Sequence, residues 1–303
     1  MKTVLLTLLW LATIAWGGLG KYPQLVVADP TGAPAPARGV RVTYLGTNGY
    51  VFESGGTTLL IDPYFTRRAL LPIGLNLRLE PSEARLAWAA SRLPAKVDAI
   101  LVTHGHFDHL LDVLPLARCY GAEVIASPTS VFLARAAGTP KTRAVLPGVS
   151  TRVGGARIRV LAASHDCILG QVPFPGKRSA VPAPPRHPSD WVCGEPLAFL
   201  IEMGGKRIYV DSGGTPAVLP PANLGRVDLA IIGVALRDSR ERLPMALDRL
   251  RPRFFLPSHQ DHFFRPLHCG FVFGPLTDFP RVLRDSQSNR LILLDYFRPW
   301  TLR

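Results

Sequence analysis

Acidic side chains are scarce here: 22 Asp and Glu stand against 35 Lys and Arg in 303 residues, and only six of the cations are Lys. Charged residues make up 19% of the chain and hydrophobic ones 47%, which excludes a disordered or collagen-like protein, because the apolar side chains can offset the entropy of ordering. Cysteine is equally sparse. Cys119, Cys167, Cys193 and Cys269 lack CxxC or ribbon spacing, which excludes a thiolate zinc motif and a dense disulfide framework. The even count still permits a Cys167–Cys193 or Cys193–Cys269 bridge in an exported protein, and buried thiols serve equally well as small hydrophobes. No fixed-period repeat is present, so a solenoid is excluded.

The charge that remains is +13 and mostly Arg, which favours anionic partners such as phosphate esters or membrane headgroups. Met1-Lys2 is followed by an uncharged run from Val4 to Leu19, shorter than the ~20 residues of a spanning helix. Residues 1–20 are therefore expected to be a signal peptide, with Gly17, Gly18 and Gly20 offering small residues for cleavage. The alternative is a membrane anchor, with Trp10 and Trp16 at an interface and Lys21 stopping transfer. Either sends the body to the periplasm or outside the cell. Residues 21–38, which include the Pro- and Ala-rich DPTGAPAPAR, are expected as a linker, and 39–303 as one folded body.

In that body short β-rich runs alternate with helical ones. Residues 41–46, 49–54 and 57–62 are spaced like a meander, with Gly55-Gly56 at a hairpin turn. VDAILVTH (97–104) is a continuous apolar run, as for a strand buried on both faces, and LLDVLPLARCYG and SVFLARAAG are helices with Gly stops. Further strands are expected at 157–164, 197–202, 206–211, 228–233, 253–257 and 290–295, with helices near 241–250 and 276–285. Between 166 and 196 there are seven prolines and no period, which marks a long functional loop. The whole reads as an α/β domain of two sheets covered by helices.

Six of the eight histidines follow expected strands. The densest group is Thr103-His104-Gly105-His106-Phe107-Asp108-His109. Residues two apart in an extended turn point the same way, so His104 and His106 can grip one cation, while Asp108 and His109 begin a helix and reach a second. His165, Asp211 and His259 end later strands in the same manner. His262, three residues after His259, is a candidate proton donor, whereas His187 and His268 sit in loop surroundings and read as structural.

HGHFDH resembles the HxHxDH signature of the metallo-β-lactamase superfamily, and His165, Asp211 and His259 follow in the order of its later metal motifs, over roughly residues 39–296. The resemblance implies a four-layer αβ/βα sandwich with a dinuclear centre at the sheet edges. In that reading His104, His106 and His165 hold one metal, Asp108, His109 and His259 the second, Asp211 bridges, and Asp62 gives outer support. LLIDPYF and PSHQDHFF are most similar to the branch of ascorbate-phosphate lactonases and N-acyl-phosphatidylethanolamine phospholipases D. That branch commonly opens with a Gly-His-Ala-Thr-like turn, and this chain has Gly46-Thr47-Asn48-Gly49 instead.

The chemistry implied is attack by a metal-bound hydroxide on an ester, lactone or phosphodiester, with Asp108 orienting the nucleophile or shuttling a proton. Two divalent ions are expected: zinc first, with iron or manganese compatible with the mixed N/O donors. The loop residues Ile168, Leu169, Val172, Phe174 and Trp191, with Lys177, Arg178 and Arg186, suggest a small or lipid-like anionic substrate and an association with membranes. A β-lactamase or a nucleic-acid phosphodiesterase is the alternative within the superfamily, although the leader argues against nucleic acid. A metal-binding scaffold without turnover is the alternative of another class.

Overall fold

The computed structural model describes residues 17–33, 36, 38–286 and 290–303. Residues 1–16 of the expected leader lie outside the described residues.

Thirteen strands form two sheets among the described residues. The first contains β1 (Val40–Gly46), β2 (Gly49–Ser54), β3 (Thr57–Ile61), β4 (Ala99–Leu101), β5 (Glu123–Ala126) and β6 (Thr142–Ala144), with the C-terminal β13 (Trp300–Leu302) added beside β1. The second runs β12-β11-β10-β9-β8-β7, from β7 (Ser150–Val153), β8 (Ala156–Ala162), β9 (Leu197–Met203), β10 (Lys206–Val210), β11 (Leu229–Gly233) and β12 (Phe254–Ser258). β1–β2–β3 is the antiparallel meander, in register Tyr50↔Ile61 and Phe52↔Leu59, while β3 to β6 and β10 to β12 run parallel. Parallel pairing gathers the ends of β3, β4, β10 and β12 at one edge, where crevices for ligands form in open sheets.

Successive strand side chains point to opposite faces, and this period divides the apolar residues between two cores. Tyr50, Phe52, Leu59, Ile61 and Leu101 pack between the sheets, against Phe199, Ile201, Ile208 and Ile231. Val51, Leu60, Ile100, Val102 and Val124 face the other way, onto the helices α3 (Phe107–Leu110), α4 (Val113–Tyr120) and α5 (Pro128–Ala136). These follow α1 (Leu70–Gly74) and α2 (Glu83–Ala90), while α6 (Arg237–Leu250) and α7 (Phe279–Asp285) cover the second sheet through Leu243, Ala246, Leu250 and Val282. The result is helix–sheet–sheet–helix.

Two expectations need correction, and a third holds. The run LLDVLPLARCYG forms the helix Val113–Tyr120 with its Gly121 stop, and just before it the Asp112 carboxylate accepts the amides of Phe65 and Thr66, each at 2.6 Å. Residues 290–295 form no ladder strand; Leu291 and Leu293 make only isolated bridges, to Phe255 and Val26. The first part of the 21–38 segment packs on the body instead of spanning open space: the Tyr22 ring lies 4.8 Å from Phe279 and 5.8 Å from Phe273, and the Val27 amide donates to Leu293 O at 3.0 Å. All four cysteines are free, so neither bridge forms. No helix of the described residues is long and apolar enough to cross a membrane.

Candidate metal centre

The crevice between the sheets holds two clusters of potential ligands. In each, one donor atom per residue lies within 4.8 Å of the others: His104, His106 and His165 in one, and Asp108, His109 and His259 in the other. Each cluster takes its first two members from the passage out of β4 in the first sheet: His104 and His106 from the β4–α3 turn, Asp108 and His109 from the start of α3. Its third comes from the second sheet, His165 following β8 and His259 following β12.

Local geometry explains the turn. The Thr103 amide and hydroxyl donate to Asp62 at 2.8 and 2.5 Å, which fixes the end of β4 to the end of β3. Gly105 donates to Cys193 O at 2.9 Å, and a Cβ there would sit 2.3 Å from Val192 O, so only glycine lets the 166–196 loop close over the turn.

The outer nitrogens of three imidazoles are pinned by protein. His109 Nδ1 lies 2.8 Å from Asp62 Oδ2, His165 Nδ1 2.8 Å from Asp166 O, and His104 Nδ1 3.1 Å from Thr103 Oγ1 and 3.4 Å from Ser212 Oγ. Such partners set tautomer and ring direction at metal sites. Inward, His104 Nε2 meets His106 Nδ1 at 2.9 Å, and Asp108 Oδ2 lies 3.2 Å from His259 Nε2 and 3.5 Å from His109 Nε2. This donor set fits two cations: three imidazoles for one, and a carboxylate with two imidazoles for the other.

Protonation agrees with that fit. Burial, reinforced by neighbouring imidazoles, holds His104 well below its ordinary value, takes His106 to about 3 and His165 to about 4, so all three are neutral donors near pH 7. Burial opposes ionisation of Asp108, but the adjacent His109 and His259 outweigh it and keep the carboxyl below the usual carboxylate range. His109 is likewise disfavoured by burial, yet Asp108 and Asp62 hold it above its ordinary value.

The family-model match now adds an independent observation: the model described as "Beta-lactamase superfamily domain" matches residues 57–269, more than half of the chain. The chain belongs to the β-lactamase superfamily. A UPF0173 metal-dependent hydrolase of Anaeromyxobacter sp. (strain K) is 31% identical over 239 residues, covering 75% of this chain and 77% of that protein. Among solved structures, Igni18, a metallo hydrolase of the archaeon Ignicoccus hospitalis, aligns with a TM-score of 0.55 at 18% identity over 86% of this chain and 97% of its own. CmlA, a diiron β-hydroxylase from Streptomyces venezuelae, aligns with a TM-score of 0.55 at 17% identity, over 89% of this chain and 55% of its own. At such identities the structural likenesses show the fold alone. This member of the β-lactamase superfamily is thus a metal-dependent hydrolase in the sandwich fold.

The remaining expected residues fall in different places. Asp62 stands behind His109. Asp211 is held elsewhere: its Oδ2 accepts Tyr209 OH at 2.7 Å and Arg242 Nη2 at 2.9 Å, and its Oδ1 accepts the Gly213 amide at 3.0 Å. It joins neither cluster among the described residues. His262 packs against Phe264, while Phe263 occupies the place beside His259, ring to ring at 4.8 Å. In the 166–196 loop, Phe174 reaches the site and lies edge-on to His106 at 6.1 Å. Trp191 is buried in the helix-side core. Lys177 pairs with Glu195 at 3.8 Å, the Arg178 amide donates to Thr129 Oγ1, and Arg186 O accepts Leu79 N. His187 caps the short 3₁₀ turn Pro188–Asp190, and His268 lies edge-on to Trp88.

Sequence reasoning missed Asn48, which joins the two halves of the site by donating to Asp62 Oδ2 at 2.8 Å and accepting Ser258 Oγ at 2.6 Å. The signal was the departure at residues 46–49 from the branch's usual turn.

Proposed function

We propose that this superfamily member is an exported dinuclear hydrolase that cleaves an ester, lactone or phosphodiester. The observation that carries the reading is the pair of adjacent three-ligand clusters with matched polarity, neutral imidazoles in one and an ionised carboxylate in the other. When bound, two divalent ions, zinc foremost, would supply an acidified water and polarise the oxygen of the scissile bond.

The chain's own groups do the rest. Asp108 Oδ2 faces two imidazoles, which leaves Oδ1 to accept a hydrogen bond from a water and aim it. Asp108 thus orients the water or shuttles its proton. Phe174 beside His106 and Phe263 beside His259 rim the clusters with apolar surface, and Leu169 of the same loop is 76% exposed. This supports a substrate with an apolar portion next to the bond that is cut, in keeping with a lipid-like molecule. The excess of Arg favours an anionic one. Export rests on the apolar run at 4–19.

The test is metal content by elemental analysis, with turnover of a p-nitrophenyl ester, a lactone and bis-p-nitrophenyl phosphate. About two metal ions per chain and hydrolysis of at least one substrate class are expected. His104→Ala should remove one ion and lower turnover by more than about 100-fold, beyond the 10–100-fold typical of outer partners. Two bound ions without turnover of any class would favour a scaffold.

A further inference from the structure

Left-handed backbone is uncommon for residues other than glycine, and it concentrates where structure over-determines it. Four such residues of this chain, Thr47 (φ 55°), Asp62 (φ 39°), Arg67 (φ 38°) and His259 (φ 55°), lie at the second cluster, Asp62 joined to Thr47 through Asn48 and Ser258. The Arg67 guanidinium is fully buried, with Nη2 at 2.6 Å from Asp261 Oδ2 and 3.3 Å from Thr47 Oγ1, and Nη1 donates to Arg265 O at 3.4 Å. Asp261 spends its other contacts on Tyr296 OH at 2.5 Å and on the Thr47 amide at 2.9 Å. Thr47 O in turn accepts the His259 amide at 2.7 Å. The chain from Arg67 through Asp261 and Thr47 thus ends on the backbone of a cluster residue. Gly46 is required beside it, since a Cβ there would sit 1.8 Å from Arg67 Nη2.

None of these contacts lets the Arg67 charge face the clusters; it is neutralised by Asp261 outside them. Burial opposes this charge, but Asp261 and Tyr296 hold it more firmly cationic than an ordinary arginine. A buried cation is costly unless fully paired, so its retention calls for a reason beyond filling space. We infer that Arg67 is the positioning residue of the second cation site: through Asp261 and Thr47 it holds His259 in the left-handed conformation that brings Nε2 to Asp108. The inference rests on the dinuclear reading proposed above.

The test is stepwise zinc binding to the full chain, comparing wild type with Arg67→Met, Arg67→Lys and Tyr296→Phe. Outer partners of metal ligands typically contribute 10–100-fold in affinity. Arg67→Met should weaken the second binding step by that factor and leave the first unchanged, with Arg67→Lys recovering part of the loss. Tyr296→Phe keeps the charge pair and removes one bond to Asp261. It should weaken the same step several-fold, and it decides the matter if Arg67→Met does not fold. A second readout needs no metal: in histidine-ring 15N–1H spectra of chelator-treated protein, the His259 signal should move in the Arg67 variants and the His165 signal should not. Unchanged second-step affinity in folded variants overturns the inference, as does an equal loss at both steps, which would mark general damage. Wild type that takes up a single ion overturns the dinuclear reading instead, and the ring spectra then decide the role of Arg67 by themselves.

Discussion

Asp211 offers the sharpest separation between a ligand and a structural anion. Its carboxylate is fully buried and spends three contacts on protein donors: Arg242 Nη2, Tyr209 OH and the Gly213 amide. Arg242 is 1% exposed, and besides Asp211 it donates through Nε to Val218 O at 2.8 Å. Asp211→Asn removes the only carboxylate that ion-pairs with Arg242 among the described residues. Breaking one side of a buried pair leaves the other charge unpaired in a poor solvent, which costs about 3–5 kcal/mol. Urea unfolding of the chelator-treated variant, followed by tryptophan fluorescence, should show a loss of that size, while elemental analysis finds the wild-type metal content. Asp211→Asn combined with Arg242→Met should be less destabilised than the two single losses added together, because the stranded cation is gone. The reasoning is refuted if Asp211→Asn loses bound metal but less than about 1 kcal/mol of stability, for then the side chain bridges metals as the superfamily resemblance implied.

Two further outcomes are expected. Gly105→Ala forces a Cβ to 2.3 Å from Val192 O, and overpacking of this kind costs about 1–3 kcal/mol; proteolysis within 166–196 should accelerate, and an unchanged cleavage rate would mean that the loop does not depend on this approach. Acidification should destabilise the metal-free chain. His106 at about 3 and His165 at about 4 stay neutral when folded, whereas unfolded imidazoles protonate below ~6.5, so this stability is present above ~6.5 and is lost as pH falls toward 4. Each contributes up to about 2 kcal/mol between pH 6.5 and 5. Asp166, raised by burial to about 6, runs the other way and returns roughly 1.4 kcal/mol over the unit from pH 6 to 5. His109, held above its ordinary value, also gains on acidification. His104, neutral when folded for the same reason, adds to the loss, so urea midpoints should show a net loss of roughly 3–4 kcal/mol, and a flat profile would contradict the neutral-imidazole assignment.

The sequence made the strand ends readable because buried strands are uniformly apolar and the residues after them are not. HGHFDH, His165 and His259 therefore stood out, together with Asp62 after β3. What stayed hidden depends on side chains that meet across the fold. Nothing near Asp211 announces that Arg242, from a helix 31 residues away, turns inward to meet it. Arg67 and Asp261 are separated by 194 residues, and no local pattern pairs them. Trp191 was expected among the substrate-facing residues of the 166–196 loop, yet the loop folds back and buries it. Residues 290–295 have the composition of a strand, but their contacts with β12 and the N-terminal segment are single bridges.

Each ligand cluster draws on both sheets, so its members are far apart in the chain: His106 and His165 in one, His109 and His259 in the other. A growing or unfolded chain cannot present either set. An ion captured at both would join the two halves of the sandwich like a rivet, and binding at 1,000 times Kd would add about 4 kcal/mol to their union. Metal uptake would thereby report on folding: an ion would load tightly only onto a chain whose two halves have docked, and would tighten that union further.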